Sequence, residues 1–438
     1  MKRFALPLLL LSTLFARCDD AVDQFVSTFL AKKQVPGVAL LVRQNGRTVK
    51  MQGYGLANIE HDVPVVPQTI FQSGSMGKQF TAMAVLMLAE RGKLNIDDPI
   101  SKYLEVPATW RGIVIRHLLT HTSGLGDYPE KFDMRRDYTE DEIFAMVTAQ
   151  PLNFAPGEKW SYSNLGFITL GVLIHKVSGQ FYGDFLHDNV FVPLGMKTRI
   201  INERDIIPHR AAGYVLRAGE FKNQEWVAPT VNTTADGSLY FTVEDLAKWD
   251  EALESGRLVS AATYKEMWSP VKLNDGTFAE YGFGWRVSKA PNGDPLIGHG
   301  GAWQGFATVI ARYPKQHLTV VALANRAGAD VSYIARRVAG TLQPELASPQ
   351  PKRVTLDAGL LGKLAGDYRE QSTITVAVEG DHLVTTFMGE KRVLLPTSEL
   401  TCFEDDSDRT YTFTRNAAGE ISGLVVALPE KITFRKVK

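Results

Sequence analysis

The stretch FQSGSMGKQF, residues 71–80, holds two serines two positions apart and a lysine three residues after the second. Behind it runs Lys78 to Arg91, apolar almost all round through Phe80, Met83, Val85, Leu86, Met87 and Leu88, and stopped by Gly92. A helix without a polar face belongs in the middle of a domain, which puts Ser75 at the N-terminus of a central helix. Positions i and i+3 share a helix face, so Ser75 and Lys78 can touch. A serine hydroxyl needs a base within reach before it becomes a nucleophile, and a lysine amine removed from water can serve as one. The S-x-x-K spacing alone is common at helix starts, so the rest of the chain must support it.

Upstream, VPGVALLVRQNGRTVKMQGYG (35–55) predicts two strands joined at Asn45-Gly46, and DDAVDQFVSTFLAKKQ (19–34) has helical periodicity. Residues 100–250 alternate short helices with Pro/Gly-rich loops; FITLGVLIHKVSG and VEDLAKWDEALESG are the clearest helices. Strands return in YGFGWRVSK, DPLIGHG, FATVIARYP and LTVVALAN, with Pro314 to His317 as a turn and VSYIARRVAGTL as a closing helix. Strand-rich ends around a helical middle imply one sheet built from both ends of the segment, with a helical insertion. The stretch TLQPELASPQPKR carries three prolines and reads as a linker. Beyond it TITVAV, HLVTTF, RVLL, LTCF, TYTF, GLVVAL and ITFRKV are short alternating segments, as in a small antiparallel barrel or sandwich.

Two further segments bear on the chemistry. WSYSNLGF places Tyr162 and Asn164 just before a helix, where a phenol can relay a proton and an amide can orient Lys78 or a substrate carbonyl. IGHGGAWQGF places His299 at a strand end, followed by Gly300 and Gly301, which let backbone approach a ligand closely. Together Ser75-Met76-Gly77-Lys78, Tyr162-Ser163-Asn164 and His299-Gly300-Gly301 resemble, in order and rough spacing, the three motifs of the penicillin-recognising serine hydrolases. The likeness is to the β-lactamase-related branch near class C β-lactamases, D-alanyl-D-alanine carboxypeptidases, D-aminopeptidases and serine esterases. IRHLLTHTSGL, LNIDDPISKYL and FAPGEKWSYSN are similar to the same branch, and the resemblance covers about residues 20–340.

That resemblance implies an α/β (α+β sandwich) domain, an antiparallel sheet flanked by helices with a helical insertion, followed by a lipocalin-like antiparallel β-barrel. The expected boundaries are a signal peptide 1–18, a hydrolase domain 19–341, a linker 342–353 and a barrel 354–438. It implies Ser75 as the acyl-accepting nucleophile, Lys78 and Tyr162 as proton-transfer groups, and Asn164, His299, Gly300 and Gly301 as substrate-binding. The backbone N–H groups of Ser75 and Ala302 would form the oxyanion hole, and no metal or organic cofactor is expected. His299 stands where many members carry lysine, so a substrate carboxylate loses a fixed cation. That shifts the expected substrate from β-lactams toward small esters or D-amino-acid amides and peptides. A true β-lactamase or carboxypeptidase is the alternative, and a non-catalytic penicillin or cell-wall sensor is the alternative outside enzymes.

The remaining features bound the reading. The chain has 438 residues, 45% hydrophobic and 22% charged, with a formal net charge of +0, which gives no reason to expect nucleic acid as a partner. A basic start and a short apolar run read as an export signal, leaving no stable membrane span and a periplasmic or extracellular protein. With two cysteines, Cys18 and Cys402, no disulfide framework is implied, and Cys402 suits a buried thiol. His117 and His121 stand i, i+4 but lack the intervening glutamate of H-E-x-x-H, and a loop-bonding role is expected of them. Ser73-Gly74-Ser75-Met76-Gly77 misses the G-x-S-x-G elbow at its first position. Trp303 would line the acyl pocket or pack, and Asn232-Thr233-Thr234 is a sequon that matters only in a eukaryotic secretory host.

Overall fold

A computed structural model describes residues 21–200, 206–349, 351–370, 372–387, 390–405, 407–427 and 431–437. The expected export signal lies outside the described residues. Among those described, no helix is long and apolar enough to cross a membrane. The chain divides into two units, residues 1–214 with 223–346, and residues 215–222 with 347–438.

The first unit is built on a seven-stranded antiparallel sheet. Its order is Arg286–Lys289, Pro295–Trp303, Phe306–Tyr313, Leu318–Ala324, Gly37–Gln44, Arg47–Asn58 and Val63–Pro64. The expected hairpin forms, with Asn45 at φ 51° and Gly46 at φ 73° in its tight turn. The strand GVALLVRQ is apolar on both faces because both are covered. Val38, Leu40 and Val42 pack with the helix of residues 21–33 and the helix Val331–Leu342, whereas Ala39 and Leu41 face the core of the helical middle. Within that middle the helix Lys78–Glu90 has every side chain from Lys78 to Leu88 buried, as its all-round apolar pattern predicts.

The second unit holds a closed barrel of eight strands, from Gly366–Arg369 through to Lys431–Val437, which pair with each other to close it. Seven of these match the alternating segments seen in sequence; Gly366–Arg369 escapes notice because only Tyr368 of its four residues is buried. Its interior is filled by side chains, including Leu361 and Leu364 from the helix Ala358–Leu364. Cys402 lies there, fully buried, its thiol pushed up to about 12 by burial. The helix Val331–Leu342 runs into a 3-10 turn, Pro344–Leu346, and Leu346 is buried in the first unit's core, so the apolar residue within the proline-rich stretch is a packing residue.

Candidate active site

Ser75 sits in a single 3-10 turn, Gly74–Gly77, that runs directly into the helix Lys78–Glu90. The turn needs Gly74 at φ +52°, and a Cβ there would fall 2.6 Å from Ala302 N. A Cβ on Gly301 would fall 1.9 Å from the Ser73 carbonyl oxygen. These two glycines therefore let the strand Pro295–Trp303 lie against the turn that carries Ser75, with the Ala302 amide beside it. Thr308, from the neighbouring strand, fastens the contact by donating to the Ser73 carbonyl at 2.6 Å. Ser73 itself is structural: it is fully buried, donates to the Gly237 carbonyl at 3.1 Å and accepts from Leu239 N at 3.2 Å.

Lys78 is fully buried and its Nζ is 3.0 Å from Ser75 Oγ. The amine also donates to Asn164 Oδ1 at 2.7 Å and to the carbonyl of Asp236. Two of its positions are thus taken by atoms that can only accept, and the third faces the serine. That third position can receive the Ser75 proton on a nitrogen lone pair when the amine is neutral, or donate to Oγ when it is charged.

Asn164 opens the helix Asn164–Ser178, whose N-cap Ser163 accepts from Gly166 N. Its Nδ2 donates to both carboxylate oxygens of Asp127, at 3.0 and 3.2 Å. Both ends of the amide are therefore engaged, and the Asp127 carboxylate that it holds is exposed. Asp236, nearly buried, accepts from Tyr128 Oη at 3.2 Å through its own carboxylate. Neither aspartate is visible as a site residue in the sequence: Asp236 acts through a main-chain carbonyl, and Asp127 through a contact 37 residues away in the chain.

Tyr162 places its ring centroid 4.9 Å from Lys78 Nζ, and its hydroxyl is buried without a hydrogen-bond partner among the described residues. His299, expected to bind substrate, lies within the strand Pro295–Trp303. Its ring is 4% exposed; Nδ1 is 2.6 Å from the Gly300 carbonyl and Nε2 2.8 Å from Tyr281 Oη. The carbonyl can only accept, so Nδ1 carries the proton and Nε2 accepts from the tyrosine. Burial, with Lys78 and Arg286 nearby, lowers the imidazole to about 3. With both nitrogens used, the ring braces Tyr281 and the strand end and offers no charge to a substrate carboxylate.

The other residues singled out in the sequence have defined hydrogen-bond partners. Trp303 Nε1 and Gln72 Nε2 both donate to Asn232 Oδ1, at 2.8 and 2.9 Å, so Trp303 is tied down and the sequon asparagine is buried. His117 Nδ1 accepts from Val114 N at 3.2 Å, and His121 lies beyond the end of the helix Ile115–Leu119. The two do not share a helix face as a metal pair would.

Residues 22–343 match the family described as Beta-lactamase. The chain is 30% identical over 403 residues to penicillin-binding protein 4* of Bacillus subtilis, covering 85% of this chain and 89% of that one. Among solved structures, the octameric penicillin-binding protein homologue from Pyrococcus abyssi is 26% identical with a TM-score of 0.70, over 95% of this chain and 99% of that one. The D-amino acid amidase of Ochrobactrum anthropi SV3, complexed with L-phenylalanine amide, is 25% identical with a TM-score of 0.65, over 75% and 97%. The chain belongs to the Beta-lactamase family, the β-lactamase-fold serine hydrolases.

Proposed function

We propose that the protein hydrolyses small esters or D-amino-acid amides and peptides through an acyl-enzyme on Ser75. The observation that carries this is Lys78 Nζ at 3.0 Å from Ser75 Oγ, with the amine's other positions taken by Asn164 Oδ1 and the Asp236 carbonyl. Ser75 Oγ attacks the substrate carbonyl as its proton passes to Lys78. The backbone amides of Ser75 and Ala302 then hold the oxyanion, each donor contributing roughly 3 kcal/mol to the transition state. Collapse breaks the ester or amide bond, and the proton returns to the leaving alcohol or amine through Lys78 and the Tyr162 hydroxyl. Water attacks the acyl-enzyme by the same route in reverse.

The exposed edge of the site beside Asn164 supports amine-bearing over carboxylate-bearing substrates, with the Lys78 and Arg286 cations lying near His299. His299 is neutral across the physiological range, and the exposed anion beside Asn164 is Asp127. A free α-ammonium suits that wall better than the carboxylate of a penicillin, and the fold likeness to a D-amino acid amidase is in keeping with it. In this reading residues 1–18 direct export and are removed, so the enzyme works outside the cytoplasm.

The test is a panel of p-nitrophenyl esters, D-amino-acid p-nitroanilides with free and N-acetylated amines, and nitrocefin. Ser75→Ala should abolish turnover, and Lys78→Ala should slow acylation by several orders of magnitude. Intact-mass detection of an acyl adduct on wild type but not on Ser75→Ala would confirm the nucleophile. Normal turnover by Ser75→Ala sinks the assignment, and turnover of nitrocefin far above that of the esters would make the protein a β-lactamase.

A further inference from the structure

Among the described residues the Tyr162 hydroxyl has no hydrogen-bond partner, and the residue lies in a loop without regular structure. What fixes it is His121. The main-chain carbonyl of His121 accepts from Ser161 N at 3.0 Å, and its ring Nδ1 accepts from Ser163 N at 3.1 Å. One residue thus holds the chain immediately before and immediately after the tyrosine. The imidazole also backs the phenol, with ring centroids 4.3 Å apart and planes inclined at 38°.

This grip is made under constraint. His121 is 1% exposed and adopts φ 59°, a left-handed conformation that costs a residue other than glycine roughly 1–2 kcal/mol. Because Nδ1 accepts, a neutral ring carries its proton on Nε2, and that buried donor has no partner among the described residues. Protonating the ring would turn Nδ1 into a second donor facing Ser163 N–H and break the hold. Burial, then Lys78, His299 and Arg286 around it, push the imidazole well below its ordinary range and keep it neutral. A side chain that only filled space here would need neither the strained backbone nor this tautomer.

We infer that His121 is the positioning residue of Tyr162, setting the phenol over the Lys78 amine without itself touching substrate. The inference rests on the proposed role of Tyr162 in returning a proton. It separates two features of the ring that substitution can pull apart. Asparagine tolerates positive φ and its Oδ1 lies close to where Nδ1 sits, so His121→Asn keeps the acceptor and loses the ring. His121→Phe keeps a ring and loses the acceptor.

The experiment measures kcat and KM on p-nitrophenyl acetate for both variants, for Tyr162→Phe, and for His121→Phe combined with Tyr162→Phe. His121→Phe is expected to lower kcat by about 100-fold with little change in KM, the size of a lost proton-transfer group. His121→Asn is expected to retain most of that activity. In the Tyr162→Phe background His121→Phe should cost no more than about threefold, because the residue acts through the tyrosine. Equal damage by asparagine and phenylalanine, or an undiminished effect in the Tyr162→Phe background, overturns the inference. If circular dichroism shows that His121→Phe does not fold, the cycle is run with His121→Gln, whose oxygen sits one bond too far out. Loss of the dependence on Ser75 would refute the hydrolase reading itself; additive effects in the cycle refute only the role of His121.

Discussion

His299 is the residue whose surroundings change its meaning most. Unfolded, its imidazole takes a proton near pH ~6.5; folded, it resists one until about 3. Between those values the unfolded chain binds the extra proton, so stability is greatest above pH ~6.5 and falls as the medium is acidified. The loss is about 1.4 kcal/mol for each pH unit below that point, until the folded ring titrates as well. His121 is shifted in the same direction by burial and adds to the trend. Thermal melts from pH 7 down to 4.5 should therefore show a falling Tm, and His299→Asn should flatten part of that slope. A slope unchanged by the substitution would mean that the ring is protonated in the fold.

At the scale of elements, the site is made where a strand end meets a turn, and two adjacent glycines have different jobs there. A Cβ on Gly301 meets the Ser73 carbonyl oxygen at 1.9 Å and Met76 N at 3.0 Å, whereas one on Gly300 meets only the Thr308 carbonyl oxygen at 3.6 Å. Gly301→Ala must push the strand off the turn that carries Ser75. It should cost about 1–3 kcal/mol of stability, as overpacking does, and lower kcat steeply by moving the Ala302 amide. Gly300→Ala should fold and react nearly as wild type, and Tm with kcat on one ester decides between them. Equal loss in both would place the glycine requirement in the bound ligand. The same junction shows what sequence can carry. Ser75 and Lys78 were legible because their spacing is local to one helix start, and the alternating barrel strands were legible for the same reason. The surroundings of His299 were not, because Tyr281 and the covering layers reach it through tertiary packing. Asp236 could not be seen at all, since it contributes a main-chain carbonyl that any residue type carries.

For the whole molecule, the first unit closes by bringing distant segments together: Gly37–Gln44 pairs with Leu318–Ala324 at the centre of the sheet. The helix of residues 21–33 and the helix Val331–Leu342 share one face of that sheet, so both ends of the unit are held by the same apolar layer. This places the unit's end later than its proline content suggests. Pro344 starts a 3-10 turn that drives Leu346 into the layer at 2% exposure, while Ala347 next to it is exposed. Leu346→Ala should remove a core side chain and destabilise the unit by about 2–5 kcal/mol. Ala347→Ser, one residue on, should change stability by less than about 0.5 kcal/mol. Denaturant unfolding read by hydrolytic activity would follow this unit through Ser75, and loss of activity at lower denaturant in Leu346→Ala alone is the expected result. If both substitutions leave the midpoint in place, residues 342–353 form a plain linker and the hydrolase unit ends with its last helix.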